Sequence, residues 1–477
     1  MQTSPREQPA GRRLDAGVSL IEVMVAMLVF AILSTGIVAG MVTITRMTDD
    51  NKARVAASGL AAQDIALVRA VGDPFTLAGA SGSTTTSTAV AVGSRTYTVQ
   101  RQVNLVSSTG ADATCASSDV FYARVNVRVT WPGQLARTQP VQDDTIVASQ
   151  GRINDSATGS ITVSVIGADG SPEQGITVRM APTSGGAALT TQPADTDVNG
   201  CTRAIGLTPG TYTVTLTKTG FKDVNQVDSP SKTVIITAGA NQAISFQYDA
   251  TATYRTNYIP WPQDYAPSNT AVLLPTNLDT TFINSTSGAY TTAAPAASVA
   301  LHPFPSGYTA IAGTPGTAGT ATACAATDPR AWQASTSGGP SRATGVAATG
   351  AVGSGQSTDF FTTYGSTTRK GIPMGVVELK NTLAVVATLI TATTTTPPSG
   401  TANPGCSTTK TYSFSPGLTA ASKIGLLLPY GSYTINITLA GLVSSQVPAS
   451  NLSVPSNIAS DGVSNSGVVT LDPRPMQ

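Results

Sequence analysis

Few residues in this chain can do chemistry. The one histidine, His302, lies in Leu301-His302-Pro303-Phe304-Pro305 with no cysteine or carboxylate at metal-ligand spacing, and it reads as a surface or turn residue. A single histidine also removes most Ser/His and Cys/His catalytic arrangements. Asp195, Asp197 and Asn199, followed by Gly200, resemble the opening of a calcium loop. Gly206 stands where such a loop needs a bidentate glutamate, so a turn before a strand is expected and no metal or cofactor is. The four cysteines, Cys115, Cys201, Cys324 and Cys406, include no C-x-x-C pair, which excludes zinc-ribbon and thioredoxin-type sites. They are disulfide candidates with three pairings open, or buried free thiols. Pairing Cys324 with Cys406 would close a loop of about 80 residues and stabilise it by roughly 4–5 kcal/mol on the chain-entropy model. Trp261, Tyr265, Tyr308 and Trp332 are either a glycan- or partner-stacking surface or packed core aromatics.

Glu22 is the residue with the sharpest chemistry. It is the one charge in the 28 residues from Val18 to Thr45, a stretch that exceeds the roughly 20 needed to cross a hydrocarbon core as a helix. A carboxylate at depth costs on the order of 2.5–3.5 kcal/mol and is usually retained for a partner. An N-terminal ammonium about 4 Å away, at an effective dielectric near 20, would attract it by roughly 4 kcal/mol and favour lateral association of helices. The alternative is a carboxylate snorkelling to the headgroups. Ahead of the apolar run, residues 1–17 carry Arg6, Arg12 and Arg13 against Glu7 and Asp15, which keeps this end cytoplasmic and the remainder outside. The apolar run is too long for a conventional secretory signal, so any cleavage comes before it.

Gly17-Val18-Ser19-Leu20-Ile21-Glu22-Val23-Met24-Val25-Ala26 resembles the type IV prepilin processing motif, a glycine followed by a hydrophobic stretch with glutamate fifth. The resemblance covers about the first 30 residues and combines leader, glycine, glutamate and uninterrupted helix. It implies cutting after Gly17 by a prepilin peptidase, N-methylation of the new Val18 amine, and assembly through Glu22 with other pilin subunits on an inner-membrane platform. The family usually has Phe where this chain has Val18, and Thr where it has Ser19.

These residues need elements to position them. Leu60, Leu67, Val68 and Val71 recur at helical spacing, so the helix is expected to continue to about Val71, spanning roughly 80 Å from Val18 and docking its second half on a soluble head. Gly36 and Gly40 are soft points, close-packing sites or ordinary membrane-helix glycines. After a Ser/Thr-rich turn at 79–89, strands are expected at Arg95–Val106, Val120–Trp131 and Thr145–Ala148, with Val125, Val127, Val129 and Trp131 on one face. They resemble a pilin head, with Cys115 in the loop between the first two.

Gly206 to Leu216, reading G-L-x-P-G-x-Y-x-V-x-L, resembles the carboxypeptidase-regulatory or prealbumin-like β-sandwich. Leu426 to Ile435 echoes it, and Cys406 stands upstream of its turn as Cys201 does. Adhesin stalks of related type carry Lys–Asn cross-links; Lys380 is a weak candidate for one and otherwise a solvated lysine.

The expected fold is thus an α+β N-terminal pilin-like part, a long helix plus a small antiparallel sheet, followed by mainly-β sandwich modules. Its divisions are a leader at 1–17, a helix at 18–75 with its membrane part at 18–45, a small sheet at 76–152, a sandwich at 153–250, a β-rich middle domain at 251–370 with flexible Gly/Thr/Ala loops, and a second sandwich at 371–477. Charged residues make up only 11% of the 477, and Lys+Arg 27 against Asp+Glu 26 leaves no whole-chain field to gather nucleic acid.

The reading is a non-enzymatic minor pilin or pilin-like subunit, a single-pass precursor in the bacterial cytoplasmic membrane and then part of an extracellular pilus. It would display β-modules to a surface glycan or protein ligand. The alternatives are an uncleaved membrane-anchored binding protein, or a pseudopilin of a type II secretion or DNA-uptake system.

Overall fold

The computed structural model describes residues 19–72, 74–78, 83–106, 115, 122–133, 139–148, 157–261, 271–316, 324–336, 341–380, 387–399, 402–415, 423–439, 444–455 and 460–475. The chain divides into two compact units, residues 1–114 with 119–153, and residues 115–118 with 154–477. One long N-terminal helix is followed by strands gathered mainly into antiparallel sheets.

In the first unit, α1 runs unbroken from Leu20 to Val71, 52 residues or roughly 78 Å. It ends where Gly72 takes the left-handed conformation, φ 64°, and donates its amide to Val68 O at 3.3 Å. A short helix α2, Pro74–Ala78, leads into a four-stranded antiparallel meander: β1 Ser83–Val92, β2 Arg95–Val106, β3 Tyr122–Thr130 and β4 Val141–Ala148. Alternation sets its faces. Val125, Val127 and Val129 of β3 are fully buried, each stabilising by roughly 1.5–3 kcal/mol relative to exposure.

β1 corrects the expected Ser/Thr-rich turn. Ser83 to Val92 pairs with Asn104 to Arg95 without a register break. Its positions are almost all exposed on both faces, so no period-two signal marks it, while threonine and valine favour the extended backbone.

The docked face of α1 keeps Val68 and the part-buried Leu60 of the expected set and otherwise differs from it. Ala53, Ala57, Ala61, Ile65 and Val68 are the buried residues, packed with Tyr97, Val103, Leu105 and the β3 valines. Leu67, at 56% exposure, and Val71 point away. Alanines let the helix backbone approach the sheet closely.

The second unit begins with a two-sheet arrangement. Its strands are β5 Gly159–Ile166, β6 Thr177–Ser184, β7 Cys201–Leu207, β8 Gly210–Thr217, β9 Phe221–Asp223, β10 Ser231–Ile236 and β11 Asn241–Ala250. One sheet has the order β10-β8-β6 and the other β7-β5-β11-β9, with β5 and β11 parallel. Ile161, Val163 and Val165 from one sheet and Val178, Tyr212, Val214 and Leu216 from the other fill the space between them.

Residues beyond 250 form a further set of sheets over one continuous apolar cluster. It runs from Ala252 and Tyr254 through Phe282, Trp332 and Phe360 to Leu426, Tyr433 and Leu471. Tyr258–Pro260 pairs with Ile372–Lys380, and Ala271–Leu273 with Lys423–Leu428. A division at residue 370 therefore passes through a shared core, because strands from both sides complete the same sheets. Cys115 is bonded to Cys201 and Cys324 to Cys406, and no described cysteine is free.

Candidate assembly site on the N-terminal helix

Gly17 and Val18 lie outside the described residues, so the site is built from Ser19 onward. Ser19 is the N-cap of α1 in extended conformation, and its carbonyl accepts the amides of Glu22 at 2.9 Å and Val23 at 3.2 Å. Glu22 thereby falls in the first turn, where the N-terminal end of the helix dipole favours a negative charge by about 0.3–1 kcal/mol. Among the described residues its carboxylate has no hydrogen-bond or ion-pair partner.

Apart from Glu22 and Arg46, residues 20–47 present apolar or small hydroxyl side chains around the whole circumference, and among the described residues nothing packs on them; Leu20 is 79% exposed and Phe30 72%. Residues 23–45 carry no charge, which gives roughly 35 Å of helix, enough to cross a hydrocarbon core. Threonine hydroxyls along and just beyond this stretch are dealt with locally. Thr35 donates to Ile32 O at 2.9 Å, Thr43 to Ala39 O at 2.9 Å and Thr48 to Ile44 O at 2.8 Å. Each of these threonine hydroxyls is satisfied by its own helix, as a lipid environment demands. A Cβ added at Gly36 or Gly40 would meet nothing within 4 Å, so neither glycine is needed by this chain's own packing.

Polar anchors begin where the apolar stretch ends. Asp50 is buried and accepts a hydrogen bond from Trp131 Nε1 at 3.2 Å. Asp64 pairs with Arg101 of β2, whose Nε donates at 2.8 Å; this bond raises the guanidinium pKa, against the opposing effect of burial. Arg69 reaches Thr145 Oγ1 of β4 through Nη2 at 2.9 Å and Nε at 3.1 Å. Sequence reading missed these three contacts, since their partners lie 37 to 81 positions away. The signal that could have found them is a charged residue beside each end of the buried alanine stripe, Asp50 before it and Asp64 and Arg69 after it.

The other singled-out residues fall elsewhere. Trp261, Tyr308 and Trp332 are buried and belong to the protein interior, while Tyr265 lies outside the described residues. His302 is a correction: it is buried, not on the surface. Its amide donates to Gln226 Oε1 at 2.9 Å, Nδ1 lies 2.9 Å from Lys222 O, and its ring meets Phe304 edge-on. The β9–β10 segment covers the proline-flanked turn, and burial lowers the imidazole pKa. Asp197 Oδ1 accepts the amides of Asn199 at 2.9 Å and Cys201 at 3.1 Å, a side-chain turn leading into β7. Lys380 is exposed at the end of its strand.

A family model described as the prokaryotic N-terminal methylation motif matches residues 12–38. No curated protein matches the chain. Among solved structures, the Bacillus anthracis TIE protein is similar at 12% identity, over 77% of this chain and 72% of its own, with a TM-score of 0.18. BcpA, the major pilin subunit of Bacillus cereus, is similar at 11% identity over 61% of this chain and 96% of its own, TM-score 0.19. A Streptococcal ancillary pilin gives 10% identity over 40% and 66%, TM-score 0.18. TM-scores this low leave these likenesses without weight for function.

Proposed function

We propose that this chain is the precursor of a pilin-like subunit of a bacterial type IV filament. In this reading it is cut after Gly17 and methylated on the Val18 amine, and it has a structural rather than catalytic role. The observation that carries the reading is the pairing of the methylation motif with the two-part helix it opens. The first part of α1 is apolar on every side beyond Glu22 and has no packing partner among the described residues, while the second part is fastened to a head. Lateral packing against like helices supplies what the first part lacks.

Glu22 would meet the N-terminal amine of an adjacent subunit, cancelling two charges that are each costly in lipid. The β-rich second unit would be displayed outside for surface contact. Its size favours a minor position, because some 300 residues beyond the head cannot easily repeat at every step of a thin filament. Glu22→Ala tests the mechanism: the leader should still be removed, while incorporation into filaments falls to background. Normal filament content in that variant would remove the pairing mechanism.

A further inference from the structure

The strands Tyr308–Ala312, Ala348–Gly350, Phe361–Tyr364 and Thr367–Lys370 form one antiparallel sheet. Its registers place Thr309 opposite Thr349, and Thr349 opposite Phe361, in a row across three strands. Alternation turns this row away from the core, since the neighbours Tyr308, Ala310, Ala348 and Thr362 are buried. The row opens onto a cleft of about 480 Å³, within the roughly 300–1,000 Å³ of small-molecule sites. Ser285, Ser306 and Thr358 complete its hydroxyl lining, and no charged side chain lines it.

Two glycines shape the cleft. A Cβ on Gly307, which has φ 67°, would come within 2.3 Å of Gly350 O, and one on Gly350 would come within 3.1 Å of the Phe360 ring. The backbone can close up there only without side chains, which leaves the row of hydroxyls accessible. The hydroxyls of Thr309, Thr349 and Ser285 have no hydrogen-bond partner among the described residues. Ser306 Oγ accepts from Asn284 Nδ2 at 2.9 Å, which leaves its own proton to donate. Tyr308, by contrast, has its hydroxyl committed to His302 O at 2.8 Å and Gln226 Nε2 at 2.9 Å.

We propose that this cleft binds a neutral sugar ring, with Phe361 as the stacking face for its C–H edge and the threonine and serine hydroxyls exchanging hydrogen bonds with its own. The chemistry argues against other small ligands. Lys370, the cation opposite Phe361 in the next strand, lies outside the lining and is paired with Asp359 at 3.4 Å, so a phosphate or carboxylate finds no cation in the cleft itself, and an amine no anion. An extended peptide would find no free edge at the floor, because Ala348–Gly350 is paired on both sides. The inference deepens the reading of the second unit as a surface-contact region and rests on that reading for its biological sense, although binding itself requires no filament.

The test uses the full chain in phosphatidylcholine nanodiscs, which avoid sugar-based detergents. Saturation-transfer NMR and calorimetry would be run with glucose, galactose, mannose and their N-acetylamino forms, and with glucuronic and N-acetylneuraminic acids. At least one neutral sugar should receive saturation on its ring C–H protons. Its affinity should fall at least about tenfold in Phe361→Ala, and about fivefold in Thr349→Val through loss of one hydrogen bond. Phe361→Tyr should retain binding. Thr349 is exposed, so that variant remains informative if Phe361→Ala does not fold. Absence of binding by every neutral sugar, preference for the acidic sugars, or unchanged affinity in Thr349→Val would overturn the proposal. Glu22→Ala should bind sugar normally while failing to assemble, and Thr349→Val the reverse, so the two readings fail separately.

Discussion

Tyr212 and Tyr433 make the same bond in two different sheets. Each donates its phenolic hydroxyl to the carbonyl four residues earlier, Tyr212 to Thr208 O at 2.9 Å and Tyr433 to Pro429 O at 2.8 Å. Each follows a glycine by two positions, Gly210 and Gly431, and each lies on a strand whose inward side chains are buried. The echo between the two segments in the sequence is therefore also an echo in local structure. At Gly210 the reason for glycine is visible: a Cβ there would meet Gly186 N at 2.2 Å.

The two tyrosines should respond differently to removal of the hydroxyl. Tyr212 also accepts from Ala187 N at 3.1 Å, but Ala187 and Thr208 are exposed, so water can take up both lost bonds and Tyr212→Phe should cost about 1 kcal/mol. Tyr433→Phe leaves the buried Pro429 carbonyl without its donor and should cost more, about 1–3 kcal/mol. Urea unfolding of the full chain, followed by near-ultraviolet circular dichroism, measures both.

Docking of α1 on its sheet depends on alanine size. Ala57 is fully buried among β-sheet side chains, and Ala57→Leu should destabilise the first unit by about 1–3 kcal/mol through overpacking. Leu67→Ala, on the exposed side of the same helix, should change stability by less than about 0.5 kcal/mol. The contrast, read from thermal unfolding, separates the observed face from the one that leucine spacing alone suggests.

Glu173 gives the second unit a pH dependence. Burial, then the nearby Asp249 charge, push its carboxyl from the ordinary 4.5 up to about 7, with Asp169 adding to the effect and Lys218 opposing it. Between those values the folded chain holds a proton that the unfolded chain has lost. Its stabilising contribution is thus complete below 4.5 and is lost as pH rises through about 7. Glu173→Gln stays neutral throughout, so its stability should exceed that of the native chain by more at about pH 8 than at about pH 5.

The Cys324–Cys406 bond joins residues 82 positions apart, so its loss should destabilise the second unit by about 4–5 kcal/mol on the chain-entropy model. The double variant Cys324→Ser/Cys406→Ser, compared with the native chain by denaturant unfolding, provides the number. A loss below about 1 kcal/mol would mean that the unfolded chain is already constrained by other means.

What the sequence discloses follows from which interactions are local. The apolar run after Gly17, the single acid within it and the alternation of Val125, Val127 and Val129 are all local patterns, and a helix and a half-buried strand are legible from them. The docked stripe of Ala53, Ala57 and Ala61 was not, because methyl groups weigh little in any apolar count although they set how closely the helix lies. β1 was missed because an exposed edge strand carries no burial pattern. His302 was misplaced because its prolines describe only a turn, whereas its burial depends on Lys222 and Gln226, some 80 positions earlier. The cysteine pairing is a matter of topology that spacing cannot supply.

Mass spectrometry of the N-terminus of the chain purified from its native membrane or filament tests the central claim most directly. The account predicts a polypeptide that starts at Val18 with a methylated amine and retains Glu22 four residues further on. Recovery of the intact chain, with Met1 through Gly17 still attached in every preparation, would contradict it.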